Sequence, residues 1–175
     1  MAKEPLSAEE VVLLGSLLDR LTWPTTGGIP NGIFHALMPK IVSVPIEPCV
    51  FNDDGQILLI PRPQSDPEYP GCHHSPGTVL RDNENVAQAI DRLVKGELGC
   101  PIGDLVRRQW REVPRGTGVG ENPTRHEIAL VHTCVIKGRP RHGQFFDLDN
   151  MPDNLLTHHR EMIKAVVNES RPPRC

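Results

Sequence analysis

Residues 76–99 read PGTVLRDNENVAQAIDRLVKGELG. The first part of this stretch, rich in Pro, Gly, Asp and Asn, predicts a turn. Apolar side chains then recur at helical spacing on one face, at Val86, Ala89, Ile90, Leu93 and Val94. Gly99 follows as a natural C-terminal stop. The stretch therefore predicts a turn followed by an amphipathic helix that packs on a sheet.

The charged residues of the same stretch resemble the Nudix box, G-x5-E-x7-R-E-U-x-E-E-x-G-U, in which U is an aliphatic residue. The box positions that this chain matches are Glu84, Arg92, Val94, Glu97 and Gly99. Those that it does not match are Thr78, Leu93 and Gly96, which replace a glycine and two glutamates. The resemblance implies the Nudix fold, an α/β fold of the α+β type in which helices sandwich a mixed β-sheet.

In Nudix hydrolases a divalent cation neutralises the phosphates and activates water, so the resemblance also implies a metal site. Its ligands here are the carboxylate of Glu97 and the carbonyl of Gly77, and its ion is Mg²⁺, with Mn²⁺ as the alternative. Glu84 and Arg92 belong to the same catalytic motif. Their spacing suits a contact that holds the loop to the helix.

The reduced helix, from Arg92 to Gly99, is similar to that of the GDP-mannose mannosyl hydrolases, a Nudix group that cleaves a carbon–oxygen bond of the sugar. That resemblance gives Arg62 a role in binding the substrate phosphates, and Arg125 is a second substrate-binding candidate. His142 is the counterpart of the histidine base of that group, although it stands out of register. The identity of the catalytic base stays open. The candidates are His142, the acids and the histidine near residues 121–127, and one of His73 and His74. Only one of the last two can face the site, since neighbouring side chains on a strand face opposite ways.

The rest of the chain predicts further elements around this motif. Ser7 and Glu10 have the form of a capping box before a helix over residues 8–21, and turn formers fill residues 25–32. Two apolar runs flank Asn52–Gly55 and predict a hairpin, in which Pro45 and Pro48 indicate an edge or a bulge. Strands are expected over residues 105–113, 127–136 and 144–148, and a helix over residues 154–167. The expected division is an N-terminal helix and linker, residues 1–35, and a Nudix domain, residues 36–175.

Composition limits the kinds of partner. A formal net charge of −3 predicts neither nucleic acid nor an anionic membrane surface as a partner. The 5 cysteines have no C-x-x-C pair and favour free thiols in a reducing compartment. Because no apolar run approaches about 18 residues and the N-terminus is acidic, we expect a cytoplasmic protein. His158 and His159 are expected at the surface.

Three functions are consistent with these residues. The first is Mg²⁺-dependent hydrolysis of a small-molecule nucleoside diphosphate linked to another group, such as a nucleotide sugar. The second is a catalytically silent Nudix domain that binds a nucleotide or a protein partner, because two of three box carboxylates are absent. A Nudix-like isomerase or regulator ranks last. Dimers are common in the family, which leaves a homodimer open.

Overall fold

The computed structural model describes residues 4–20, 29–114 and 125–169. Two compact units divide the chain, Met1–Leu37 and Met38–Cys175. In the first unit, helix α1 spans Ala8–Asp19 and α2 spans Asn31–Leu37. The Ser7 hydroxyl accepts the N–H of Glu10 and the Glu10 carboxylate accepts the N–H of Ser7, so the predicted capping box is present. No helix among the described residues is long and apolar enough to cross a membrane.

The second unit is built on one mixed sheet. Its strands are β1 Val42–Ser43, β2 Pro45–Phe51, β3 Ile57–Pro61, β4 His73–His74, β5 Thr78–Val79, β6 Val106–Val113, β7 His126–Val135 and β8 Gln144–Phe146. The order through the sheet is β1-β7-β2-β3-β4, with β5 beside β2, β6 beside β7 and β8 beside β3. Strands β1 and β2 run parallel to β7, and the other pairs are antiparallel.

The predicted hairpin is present, but its first strand is not at an edge. β2 pairs with β7 along its length and, on its other side, with β5 through Pro45 and Ile46 and with β3 through Phe51. The strand as a whole is therefore inside the sheet, but Pro45 pairs only with β5 and Pro48 only with β7, so each of the two prolines has a partner on one side alone. Pro48 is tolerated in this central strand because neither β5 nor β3 pairs with it, so its missing N–H breaks no ladder on that side.

Helices cover both faces of the sheet, as the resemblance implies. On one face, α4, which spans Thr157–Glu169, packs Met162, Ile163 and Val166 against Cys49, Ile57, Leu59 and Val131. On the other face, α3, which spans Val86–Leu93, packs Ala89, Ile90 and Leu93 against Ile46. Successive strand residues such as Leu58 and Leu59 enter opposite layers. The continuous apolar run of β3 is thus explained by burial on both faces.

Candidate active site

Helix α3 is fixed at its N-terminus by local bonds. The Asn85 side chain accepts the N–H of Gln88, and the Gln88 side chain accepts the N–H of Asn85, which forms a capping box. The helix continues into a π-helical turn, Val94–Leu98, and ends at Gly99 with a left-handed φ of 72°. Glu97, the retained box carboxylate, lies on this π-helical turn. Such turns are frequent at functional sites because they change the direction in which side chains leave a helix.

The Arg92 guanidinium ties α3 to the loop and strand that precede it. Its Nε and a terminal nitrogen donate to the two Glu84 oxygens at 2.8 and 2.7 Å. It also donates to the Thr78 hydroxyl at 2.6 Å and to the Val79 carbonyl at 3.0 Å. The bonds from Arg92 are the largest cause of the lowered pKa of Glu84. The contact that the Glu84–Arg92 spacing predicts is present, and Thr78, which departs from the box, is part of it.

The two lost box carboxylates have different surroundings. Leu93 is only 4% exposed and packs with Ile46, Ala89 and Ile90, so the apolar side chain at this position belongs to the core. Gly96 is exposed, and a Cβ there would meet no atom within 4 Å. A carboxylate at position 93 would be buried among apolar groups, whereas one at position 96 would find space.

Arg141 holds the end of the π-helical turn. Its guanidinium donates to the Lys95 and Gly96 carbonyls at 3.3 and 3.2 Å, and its backbone N–H donates to the Leu98 carbonyl at 2.7 Å. A Cβ at Gly99 would lie 3.0 Å from the Arg141 side chain. Glycine at the end of the box therefore serves both the left-handed turn and this close approach. Both ends of the segment that carries Glu97 are thus held by arginine.

Glu97 itself is half-buried. Burial raises the pKa of its carboxyl to about 7, and the positive charge of Arg62 opposes that rise. A carboxylate with such a pKa can take up or release a proton near neutral pH. Glu97 does not line the cleft described next, but its electrostatic interaction with Arg62, which does, connects the two.

A cleft of about 160 Å³ opens between the sheet, the loop after β3 and α4. Its lining residues are Pro45, Glu47, Arg62, Glu68, Tyr69, His74, Ser75, Gly77, Thr78, Val79, Arg125, Glu127, Leu156, His158 and His159. A Cβ at Gly77 would lie 3.8 Å from Cγ of Glu47 and 3.4 Å from the Ile46 carbonyl oxygen. The box loop therefore reaches the cleft where its backbone passes β2.

Two glutamates contribute negative charge to the cleft. Glu47 projects from β2, and Glu127 projects from the start of β7, where the Ser43 hydroxyl is 3.5 Å from its carboxylate. Burial and then the charge of Glu127 raise the pKa of Glu47 to about 7, against the opposing effect of Arg111. Two carboxylates that repel each other in a poorly hydrated place favour the binding of a proton or a cation between them.

Two arginines contribute positive charge. Arg62 donates to one Asp66 oxygen at 3.0 and 2.6 Å and lies over the Tyr69 ring at 5.7 Å. Burial of Asp66 disfavours its charge, but the bonds from Arg62 and from the N–H groups of Tyr69 and Glu68 outweigh it and lower its pKa to about 2. Arg125 donates to Glu68 at 2.7 Å. Both guanidinium groups are thus oriented by ion pairs, as groups that bind a phosphate must be.

Uncharged histidines complete the lining. Burial lowers the pKa of His74 and of His158 to about 4, and Arg62 lowers the first while Arg111 lowers the second. The pKa of His159 lies well below its usual value, chiefly because it is buried. Its Nδ1 accepts the Ser75 N–H at 3.3 Å, which leaves the proton on Nε2. All three imidazoles are neutral at physiological pH.

The structure brings some of the sequence candidates together and separates others. Arg62, Gly77 and Arg125 line the cleft. Glu84 and Arg92 pair with each other and are not part of the lining. His142 lies on an exposed loop away from the lining, and His73 bonds to Asn154 instead. His74 faces the cleft, as the alternation on a strand allows. Glu121 lies outside the described residues.

Sequence reasoning missed part of the cleft. His158 and His159 were expected at the surface, which was wrong, because His159 is only 6% exposed and both rings line the cleft. Glu47 and Tyr69 were not among the candidates. The sequence signal for Glu47 was a single acid inside an apolar strand, since such a residue is rarely buried without a role. The α4 histidines carry no such signal, because their neighbours in space come from residues 62–75.

The carboxylates in and near the cleft are the side chains that could hold a cation. No group of three His, Cys, Asp or Glu side chains in the described ranges is arranged to hold a metal. Mg²⁺ commonly takes only one or two carboxylates and fills its other positions with water and substrate phosphates. Glu47 and Glu127 in the cleft, and Glu97 outside its lining, are three carboxylates whose oxygens are hard donors of the kind that Mg²⁺ prefers.

Known proteins resemble most of the second unit. The family model described as "NUDIX domain" matches residues 46–166. The ADP-ribose pyrophosphatase of Methanocaldococcus jannaschii is 29% identical over 125 residues, which are 67% of this chain and 69% of that protein.

Among solved structures, a MutT NUDIX hydrolase from Burkholderia pseudomallei is similar with a TM-score of 0.60 and 25% identity, over 73% of this chain and 99% of that one. A bifunctional NMN adenylyltransferase/ADP ribose pyrophosphatase from Francisella tularensis, complexed with AMP and a Mn ion, has a TM-score of 0.56 and 19% identity. The similarity covers 74% of this chain and 42% of that one.

Proposed function

Because this chain belongs to the NUDIX domain family, we propose that it hydrolyses a nucleoside diphosphate linked to another group and that it requires Mg²⁺ for this reaction. The relative from Methanocaldococcus jannaschii is named for such an activity, on ADP-ribose. The observation that carries the proposal is a single cleft lined by the acids Glu47 and Glu127 and by the bases Arg62 and Arg125. Acids and arginines in one cleft suit a reaction in which water attacks a phosphorus atom of a diphosphate and breaks its phosphoanhydride bond.

Arg62 and Arg125 bind the diphosphate oxygens in this scheme. Guanidinium groups form strong, directional bonds to phosphate, and ion pairs to Asp66 and Glu68 orient these two. Glu97 and the Gly77 carbonyl are the groups that would hold the cation. When bound, Mg²⁺ neutralises phosphate charge and makes water a better nucleophile.

Glu47 is the group that we assign to accept the proton of the attacking water. Its carboxyl has a pKa of about 7 and lines the cleft, so about half of the molecules have an ionised base at neutral pH. The water oxygen forms a bond to phosphorus, the bond from phosphorus to the leaving oxygen breaks, and the proton passes to a Glu47 oxygen. Glu84 and Arg92 act by holding the box helix, not by touching the substrate.

Hydrolysis in ¹⁸O-labelled water over ADP-ribose, GDP-mannose, a dinucleotide and a nucleoside triphosphate tests this proposal. We expect metal-dependent turnover of at least one of the diphosphate-linked compounds, with the label in a phosphate product. Label in free sugar would instead assign the carbon–oxygen cleavage that the reduced box resembles. Glu47→Gln should lower kcat by about 10²-fold or more, within the usual range for a general base, and Glu97→Gln should lower the metal-dependent turnover because it changes a cation ligand.

Two variants serve as controls. Glu112→Gln changes an exposed glutamate on β6 and should leave kcat unchanged. His142→Ala separates this scheme from the sequence prediction that His142 is the base. If His142→Ala abolishes turnover while Glu47→Gln does not, the assignment of Glu47 is wrong.

A catalytically silent domain is the second candidate. It is favoured by the lack, within the described parts of the chain, of a three-residue metal ligand set, and by the loss of the box acids at Leu93 and Gly96. Such a protein would bind nucleotides in a calorimeter and turn over none of the panel at any Mg²⁺ or Mn²⁺ concentration. The cytoplasmic location, the homodimer and the division at residue 35 remain predictions of the sequence.

A further inference from the structure

The π-helical turn that carries Glu97 is bonded from outside by one residue, Arg141, which lies on the loop between β7 and β8. A helix leaves its last carbonyl groups without partners of its own. This loop residue supplies a donor to three of them, the carbonyls of Lys95, Gly96 and Leu98, at 3.3, 3.2 and 2.7 Å. The backbone is therefore bonded to Arg141 on both sides of Glu97.

The Glu97 carboxylate has no side-chain partner that orients it directly. Among the described residues, the charged group that acts on it is Arg62, and the Arg62 guanidinium bonds to Asp66 instead. Carboxylates that bind a metal are usually held by hydrogen bonds of their own. Because such bonds are missing from the described residues around Glu97, the direction of its side chain depends on the backbone of the turn.

The loop that carries Arg141 is itself fixed to the sheet at both ends. At its start, Ile136 donates its N–H to the Phe51 carbonyl at 2.8 Å. At its end, Gly143 has a left-handed φ of 86°, and a Cβ there would collide with the Leu59 backbone of β3. Glycine thus allows the loop to approach the sheet closely. Arg141 therefore meets the turn from a defined position.

We propose that Arg141 is a positioning residue for Glu97, because it fixes the turn in the conformation that presents this carboxylate to the cation. This role rests on the proposed function, in which Glu97 holds Mg²⁺. Arg141 is exposed and does not line the cleft, so it acts through the backbone of the turn and not by touching the substrate. A residue that only capped the helix would add stability without changing the affinity for a cation.

Loss of positive charge and loss of positioning change the cation affinity in opposite directions. Removing a guanidinium lowers the repulsion of a divalent cation and favours tighter binding. Removing the support of the turn favours weaker binding. Arg139 is an exposed arginine of the same loop, so Arg139→Met measures the effect of charge alone. Arg141→Lys keeps the charge but replaces the planar guanidinium by a single ammonium.

Binding of Mn²⁺ to the full chain without substrate, measured by electron paramagnetic resonance of the free ion, tests this role. We expect Arg141→Met to raise the Kd for Mn²⁺ about tenfold, the lower end of the usual range for residues that orient a metal ligand. Arg139→Met should leave the Kd unchanged or lower it, and Arg141→Lys should give an intermediate value. In a Glu97→Gln background, Arg141→Met should have no further effect, because the carboxylate that it positions is absent.

Amide hydrogen exchange provides a second readout that needs no metal. In Arg141→Met, we expect the amides of residues 95–99 to exchange about tenfold faster than in the wild type, because local opening of the turn becomes easier. Arg139→Met should leave this exchange unchanged. Urea unfolding of each variant confirms that it folds.

The positioning role is rejected if Arg141→Met folds and binds Mn²⁺ as tightly as the wild type, since Arg141 would then be only a helix cap. It is also rejected if the full effect of Arg141→Met persists in the Glu97→Gln background. If Glu97→Gln alone leaves the Kd unchanged, the metal site of the proposed function is wrong and the positioning role falls with it. If both residues set the Kd but no substrate is hydrolysed, the positioning role is supported and the proposed hydrolysis is rejected.

Discussion

Replacing Arg92 with methionine tests the network that carries the box helix. The side chain keeps an apolar stem but loses four hydrogen bonds, two to Glu84, one to Thr78 and one to the Val79 carbonyl. Arg92 and Glu84 are only 28% and 13% exposed. Removing one partner of a buried pair typically destabilises by about 3–5 kcal/mol, and partial exposure of this one favours the lower end, about 3 kcal/mol.

The assay is urea unfolding of the full chain, read by circular dichroism at pH 7. A loss of about 3 kcal/mol corresponds to a fall in Tm of roughly 6–12 °C for a domain of this size. Glu161→Gln breaks the exposed pair with Arg111 as a control, and should change stability by less than about 1 kcal/mol, because Glu161 is 47% exposed. In a double-mutant cycle, Arg92→Met and Glu84→Gln should be coupled by about 1–3 kcal/mol.

The pH dependence of stability tests independently whether the Glu84–Arg92 pair stabilises the fold. The folded pKa of Glu84 lies below its ordinary value of 4.5, so its pairing stabilises the fold above about pH 4.5 and is lost as pH falls through the folded pKa. The difference in the free energy of unfolding between the wild type and Arg92→Met should therefore become smaller at acid pH. A loss below about 1 kcal/mol at pH 7, or additive effects of the two substitutions, would refute the reasoning that this pair holds the loop to the helix.

Three more predictions concern single positions. Gly143→Ala should destabilise the fold by at least about 2 kcal/mol, because the added Cβ would collide with the Leu59 carbonyl and because Gly143 has a left-handed φ of 86°. Gly96→Ala should be tolerated. Equal Tm values of the two variants in thermal scans would contradict this. Leu93→Glu should destabilise by several kcal/mol in urea, because it buries a carboxyl among apolar side chains, and Gly96→Glu should not. Glu47→Gln should raise the free energy of unfolding in EDTA at pH 8 by up to about 3 kcal/mol and should not change it near pH 4. The reason is that a folded pKa raised from 4.5 to about 7 makes the ionised form of Glu47 destabilising. If the free energies of unfolding of variant and wild type differ by the same amount at pH 4 and pH 8, the prediction is contradicted.

Much of the fold could be read from local patterns. The capping box at Ser7, the turn at Asn52–Gly55 and the period of α3 depend on residues a few positions apart, and each is present. The sequence could not predict that β5 and β3 share one side of β2 and leave Pro48 in the gap between them, because that depends on the pairing of distant segments. Residues 115–124 lie outside the described residues.

The sequence by itself determined the box and its scaffold. Glu84, Arg92, Glu97 and Gly99 stand within sixteen residues, and a helix of known pitch fixes how such residues meet. Only the tertiary structure decided what surrounds them. Tyr69, Ser75 and His158 line one cleft because the loop after β3 and helix α4 come together there, and the raised pKa of Glu47 and the lowered pKa of His158 follow chiefly from burial. Burial depends on packing between distant segments, which no local spacing encodes.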